Sequence, residues 1–84
     1  MKDGQQILGI EPVLIELKED ISVPKNVRMK VDKVIKILKE ESEIPIKASK
    51  ALNELEEIAE DVNLESYTRT QIWNIISILA KASK

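Results

Sequence analysis

Val27-Arg28-Met29-Lys30-Val31-Asp32-Lys33-Val34-Ile35-Lys36-Ile37-Leu38 decides the fold class. Val27, Val31, Val34 and Leu38 recur at steps of four, three and four, and Ile35 widens the row. At about 100° per residue, that spacing places the aliphatic side chains along one side of an α-helix. Pro24 suits a first turn, where its missing N–H is not needed. The predicted helix covers roughly 24–40.

The same period recurs on both sides. Downstream, Ala48, Ala51, Leu52, Leu55, Ile58, Ala59 and Val62 line one face of a helix over roughly 45–61. Three of these are alanines, so a neighbouring helix can approach closely. A fourth helix over roughly 64–82 carries Ile72, Ile75, Ile76 and Leu79, with Asn63 as its natural N-cap. Upstream, Ile7, Ile10, Leu14, Leu17 and Ile21 make a stripe over roughly 4–20, and Asp3 with Gln6 resembles a capping pair. Gly9 and Pro12 interrupt this pattern. An interior proline removes one backbone bond and costs about 3 kcal/mol. Either the helix kinks, or it begins near Glu11. The stripe continues across Pro12, which favours a kinked helix.

The chain also repeats itself. Glu19-Asp20-Ile21-Ser22-Val23 is followed by Arg28, then Val31, Val34, Ile35, Ile37 and Leu38. Glu60-Asp61-Val62-Asn63-Leu64 is followed by Arg69, then Ile72, Ile75, Ile76, Ile78 and Leu79. From Arg28 to Arg69 the offset is 41 positions. Two helical hairpins of one design follow. The connections are short, so successive helices should be antiparallel neighbours. The expected fold is all-α, an antiparallel up-and-down four-helix bundle in one domain spanning 1–84. A HEAT-like helix pair is the alternative, although a solenoid needs three or more repeats.

Composition narrows the functions. The chain has 84 residues with no Cys and no His. Disulfides and thiolate chemistry are therefore excluded. The commonest metal ligand and the commonest neutral-pH general base are also missing. Thirteen basic and 15 acidic residues give a net charge of −2, a mixed surface unlike that of a general polyanion binder. Tyr67 and Trp73 are the only aromatics, so the core must be aliphatic. No apolar run approaches the roughly 20 residues of a membrane span, and no signal peptide is expected.

The carboxylates Glu40, Glu41 and Glu43, and Glu54, Glu56, Glu57, Glu60 and Asp61, are read as solvated faces. Bundle metal sites built on carboxylates also use Glu-x-x-His pairs, which this chain lacks. Ser49, Ser66, Thr68, Thr70 and Ser77 have no His to activate them, and neither glycine sits in a phosphate-binding pattern. Neither a catalytic residue nor a cofactor is expected. The second helix is basic. Its Lys25, Arg28, Lys33 and Lys36 form a candidate nucleic-acid patch, but no aromatic is interleaved for stacking. Packing against the acidic third helix is the simpler use of these charges.

The fourth helix is apolar over an arc of about 220°, from Ile78 through Ile72 to Trp73, wider than one core face requires. Such a helix is either central or carries a second contact surface. On the first helix, Leu8 and Ile15 stack about 110° from the Leu14 stripe. Arg69 and Trp73, four apart, suit a cation–π pair or an interface hot spot. Leu8, Ile15, Tyr67, Arg69, Trp73 and Ile78 are the candidate interaction surface.

Val23-Pro24-Lys25-Asn26-Val27-Arg28 and Arg69-Thr70-Gln71-Ile72-Trp73-Asn74-Ile75 resemble the two most distinctive stretches of uncharacterised protein family 0147, a small archaeal family. The resemblance covers roughly Glu16 to Leu79 and is least before Val13. It implies a helical bundle in an archaeal cytoplasm, and it carries over no function and no catalytic residue.

The functional expectation is a small cytoplasmic protein-interaction module, not an enzyme. Its partner would be another protein, with a homodimer among the candidates. Weak nucleic-acid association through the second helix is the alternative, and no membrane is expected.

Overall fold

The computed structural model describes residues 2–83, with side chains from Gly9 onward. Four helices follow in order: α1 (Lys2–Glu19), α2 (Lys25–Leu38), α3 (Ile44–Ala59) and α4 (Ser66–Ala82). No strand occurs among the described residues. Each helix packs on its two neighbours, α1 on α2, α2 on α3, α3 on α4 and α4 back on α1, while the diagonals barely meet. That ring is a closed bundle. A stacked pair of HEAT-like repeats would instead bring α1 onto α3 and α2 onto α4. The molecule measures 34 × 19 × 18 Å, one helix plus its turns in length and two helices in width.

The aliphatic rows supply the core. Leu14, Val27, Val31, Val34, Leu55, Ile58, Ile72 and Leu79 are essentially inaccessible to solvent. Ala48 and Ala51 are fully buried on α3, as small residues at a helix seam should be. Thr68 is the one buried polar residue among those described. Ion pairs stitch two of the seams. Glu11–Lys39 at 3.6 Å and Lys18–Asp32 at 3.0 Å join α1 to α2 and its end. Lys30–Glu57 at 3.6 Å and Lys33–Glu54 at 3.2 Å join α2 to α3. The basic second helix therefore does pack against the acidic third.

Helix α1 runs unbroken through Pro12, so the alternative start near Glu11 is wrong. Asp3 and Gln6, the expected capping pair, lie outside the described side chains, as does Ile7. Two helix ends fall short of expectation. α1 stops at Glu19, and Ile21, expected on the core stripe, is 88% exposed. α3 stops at Ala59, and Val62, likewise expected in the core, is 89% exposed. Both corrections have one cause. After each helix an aspartate folds the chain into a turn. Ser22 N–H donates to Asp20 Oδ1 at 2.9 Å, and Val23 N–H to the Asp20 carbonyl at 3.0 Å. Asn63 N–H donates to Asp61 Oδ1 at 2.8 Å, and Leu64 N–H to the Asp61 carbonyl at 3.2 Å. Aspartate side chains offer this local bond in competition with the helix ladder. Asn63 is therefore a turn residue. Glu65 holds the N-cap position of α4, and its carbonyl accepts Arg69 N–H at 2.9 Å. No described helix is long and apolar enough to cross a membrane.

Candidate interaction surface

The apolar arc of α4 divides between two neighbours. Arg69 marks the side facing α3: Nε donates to the Ala59 carbonyl at 3.2 Å and Nη2 to the Asp61 carbonyl at 2.8 Å. These carbonyls close the end of α3, where the helix dipole favours a cation. Arg69 is thus an anchor of the fold. Its repeat mate Arg28 makes a single bond, Nε to the Val23 carbonyl at 3.1 Å, within the α1–α2 loop and not at the end of α1. Trp73 stands about 40° around α4 from Arg69, at the outer edge of this side, and is half-exposed.

The opposite edge of α4 faces α1. Tyr67, Gln71, Asn74, Ile75 and Ile78 fall within about 100° of one another there. With Gly9, Ile10 and Val13 of α1, the residues Gln71, Asn74, Ile75 and Ile78 line a groove of about 460 Å³. Gln71 also belongs to an adjoining depression with Glu16, Leu17, Glu19, Asp20 and Tyr67. Ile10 and Ile75 form the buried floor, Val13 and Ile78 the half-buried walls, and Tyr67, 73% exposed, stands at the far end. Gln71 Nε2 donates to the Tyr67 hydroxyl at 3.4 Å. The α1–α4 contact is the slightest of the four, and among the described residues no ion pair bridges it. Gly9 contributes to the gap, because a Cβ built there would meet nothing within 4 Å.

The six candidate residues therefore do not share one face. Ile78 lines the groove and Tyr67 the adjoining depression. Trp73 and Arg69 lie on the α3 side of α4. Ile15, 38% exposed, sits on the α2 side of α1, on the flank that carries the Glu11 and Lys18 ion pairs. Leu8 lies outside the described side chains. Gly9 and Val13 are the groove residues that sequence reasoning missed. The only signal for them in the sequence is the interruption at Gly9 and Pro12, which bears on helix shape and not on a groove.

The alternative basic patch is also divided. Lys33 is paired with Glu54 on α3. Lys36 pairs with Asp32 at 3.1 Å, which Lys18 also contacts. Lys25 and Arg28 line a shallow cleft with Lys18, Met29 and Asp32.

Three aspartates titrate below the ordinary carboxylate value of 3.8. The Ser22 hydroxyl and then the Ser22 N–H hold Asp20 down. The Lys18 and Lys36 ammonium groups hold Asp32 down. The Asn63 N–H and then the Asn26 amide hold Asp61 down. Each cause is a turn, an ion pair or, for Asp61, the Asn26 amide reaching across from α2. No three acidic side chains among the described residues gather to hold a metal ion.

Comparison with known proteins agrees with the sequence motifs. Residues 2–82 match the family described as Uncharacterised protein family (UPF0147). A UPF0147 protein of Methanocaldococcus jannaschii is 38% identical over 82 residues, covering 95% of this chain and 88% of its own. Another, from Methanosarcina mazei, is 43% identical over 68 residues, covering 80% and 73%. One from Thermococcus kodakarensis is 39% identical over 75 residues, covering 83% and 90%. No solved structure matches the chain. The expected family resemblance holds along the whole bundle, and the chain belongs to the archaeal family UPF0147.

Proposed function

We propose that this protein is a small, non-catalytic interaction module that binds an apolar helix along its α1–α4 seam. One observation carries the reading: this seam is left open as a groove with an isoleucine floor, while ion pairs close the α1–α2 and α2–α3 seams. Its described lining holds no charge, only the Gln71 and Asn74 amides beside aliphatic carbon. An amphipathic helix laid in such a groove buries its apolar face and can bond the amides at the rim. The absence of His and Cys supports binding over catalysis.

Self-association is the form to test first, because α1 and α4 present their half-buried Val13 and Ile78 to any second copy. Solution mass by size-exclusion chromatography with light scattering should rise with concentration for the native chain. Ile78→Lys should stay monomeric at every concentration with helicity unchanged. Equal masses for the two chains would overturn the seam as a self-association surface, and lost helicity would show that Ile78 belongs to the core. The same proposal sets the module in the cytoplasm, which fractionation of cell extract checks.

Nucleic-acid binding through α2 is not favoured. Arg28, Lys33 and Lys36 already have acceptors within the fold. Binding to labelled RNA that weakens steeply with salt would establish α2 as a nucleic-acid surface.

A further inference from the structure

We propose that the end of the bundle carrying the α1–α2 and α3–α4 loops docks a basic protein segment onto Ile21 and Val62. The inference rests on the reading of the chain as an interaction module, but its two anchors, Ile21 and Val62, do not line the seam groove.

Two contacts place both loops at one end. Asn26, in the first turn of α2, donates to Asp61 Oδ2 in the α3–α4 loop at 3.0 Å. Tyr67, in the first turn of α4, shares a depression with Glu19 and Asp20. The loops are built alike, and each part of the turn has an assigned job. Asp20 and Asp61 accept the local N–H bonds, Ser22 and Asn63 donate them, and Val23 and Leu64 are the buried plugs. Ile21 and Val62 take no part in this bonding or packing. A polar residue would satisfy the turn equally well, yet the chain puts a β-branched aliphatic at both equivalent positions, almost fully in water. Single exposed aliphatics are ordinary. Here two stand at matched positions on one end of the bundle, and exposed Tyr67 lies at the same end.

Charge selects the occupant. Around the two tips stand exposed Glu19, Asp20, Glu60 and Glu65, with Asp61 half-buried. The arginines at this end are turned inward: Arg28 onto the Val23 carbonyl, Arg69 onto the Ala59 and Asp61 carbonyls. Lys18 is paired with Asp32, and exposed Lys25 with Arg28 and Arg69 leaves three cations against these five carboxylates. The outward field is therefore negative. It repels nucleic acid and anionic lipid and attracts Lys- and Arg-rich protein. The fitting partner is a segment with aliphatic sockets for Ile21 and Val62 and a basic rim.

The test is selection of a random peptide library on the immobilised protein. Enriched peptides should combine Lys or Arg with aliphatic residues, and their affinity should fall as salt rises. The double variant Ile21→Ser/Val62→Ser should keep full helicity, because both side chains lie in solvent, and should bind these peptides at least about tenfold more weakly. Ile78→Lys should bind them unchanged. Acidic or uncharged selected peptides, equal binding by the double variant, or no selected peptide would each overturn the proposal. Peptides lost by Ile78→Lys and kept by the loop variant would overturn it while sustaining the seam.

Discussion

The Asn26 amide donates to the Asp61 carboxylate across 35 positions of sequence, tying the second helix to the loop that follows the third. The repeat counterpart of Asn26 is Tyr67, which stands beside Asp20 without an equivalent amide. The two hairpins thus share their turns and differ in how each touches the other's loop. Asn26→Ala should raise the pKa of Asp61 toward the ordinary carboxylate value, because one of its two main donors is removed. Carboxyl chemical shifts across an acid titration check this; an unmoved Asp61 would mean the turn N–H alone holds it.

Arg69→Ala should destabilise the bundle by about 1.5–3 kcal/mol, since a charged donor leaves two carbonyls at the end of α3. Arg28→Ala should cost less, because Nε makes a single bond to Val23. Urea denaturation followed by Trp73 fluorescence ranks the two.

Leu14→Ala removes a fully buried side chain and should cost about 2–5 kcal/mol. The next residue is a control. Ile15→Ser alters a side chain at the surface and should change stability by no more than about 0.5 kcal/mol. Equal losses at the two positions in urea melts would mean that Ile15 is covered in solution.

Gly9→Ala should stabilise the fold by about 0.5–1 kcal/mol, since alanine is the better helix residue and the added methyl has open space. The same methyl narrows the α1–α4 groove. A higher melting temperature together with weaker self-association would join both consequences in one variant.

Acid should weaken the bundle in a defined window. Asp20, Asp32 and Asp61 are held below 3.8 in the fold, so folding favours their ionised forms. Their contribution is complete above the unfolded-state value and is lost as pH falls through the lower folded-state values. The urea midpoint should therefore drop below about pH 4. Asp20→Asn and Asp61→Asn should lower the midpoint at neutral pH and flatten the acid limb. An acid limb of native steepness in both variants would remove the two turns from the explanation.

Periodicity made the helices legible. Val27, Val31, Val34, Ile35 and Leu38 were read as one row, and all five are buried. The offset between Arg28 and Arg69 shows two hairpins of one design, and the backbone N–H bonds of the turns at Asp20 and Asp61 repeat. The family was legible too, because its motifs are strings of residues and need no geometry. Ile21 and Val62 were misread for a physical reason. A 3.6-residue period says which side of a helix is apolar, but the aspartate bonds that end the helix are short-range and leave the period intact.

The surface was decided by tertiary structure. The wide arc of α4 is visible in sequence, but only the packing shows that Arg69 turns toward α3 while Ile78 turns toward α1. Arg69 looked like an outward hot spot until the end of α3 came within reach of its guanidinium. Sequence by itself determined the helices, their apolar sides and the repeat, because those follow from local backbone geometry. Which seam stays open, and which apolar residues remain in water, depends on how closely four helices approach, and that is settled by side-chain volumes meeting across the chain.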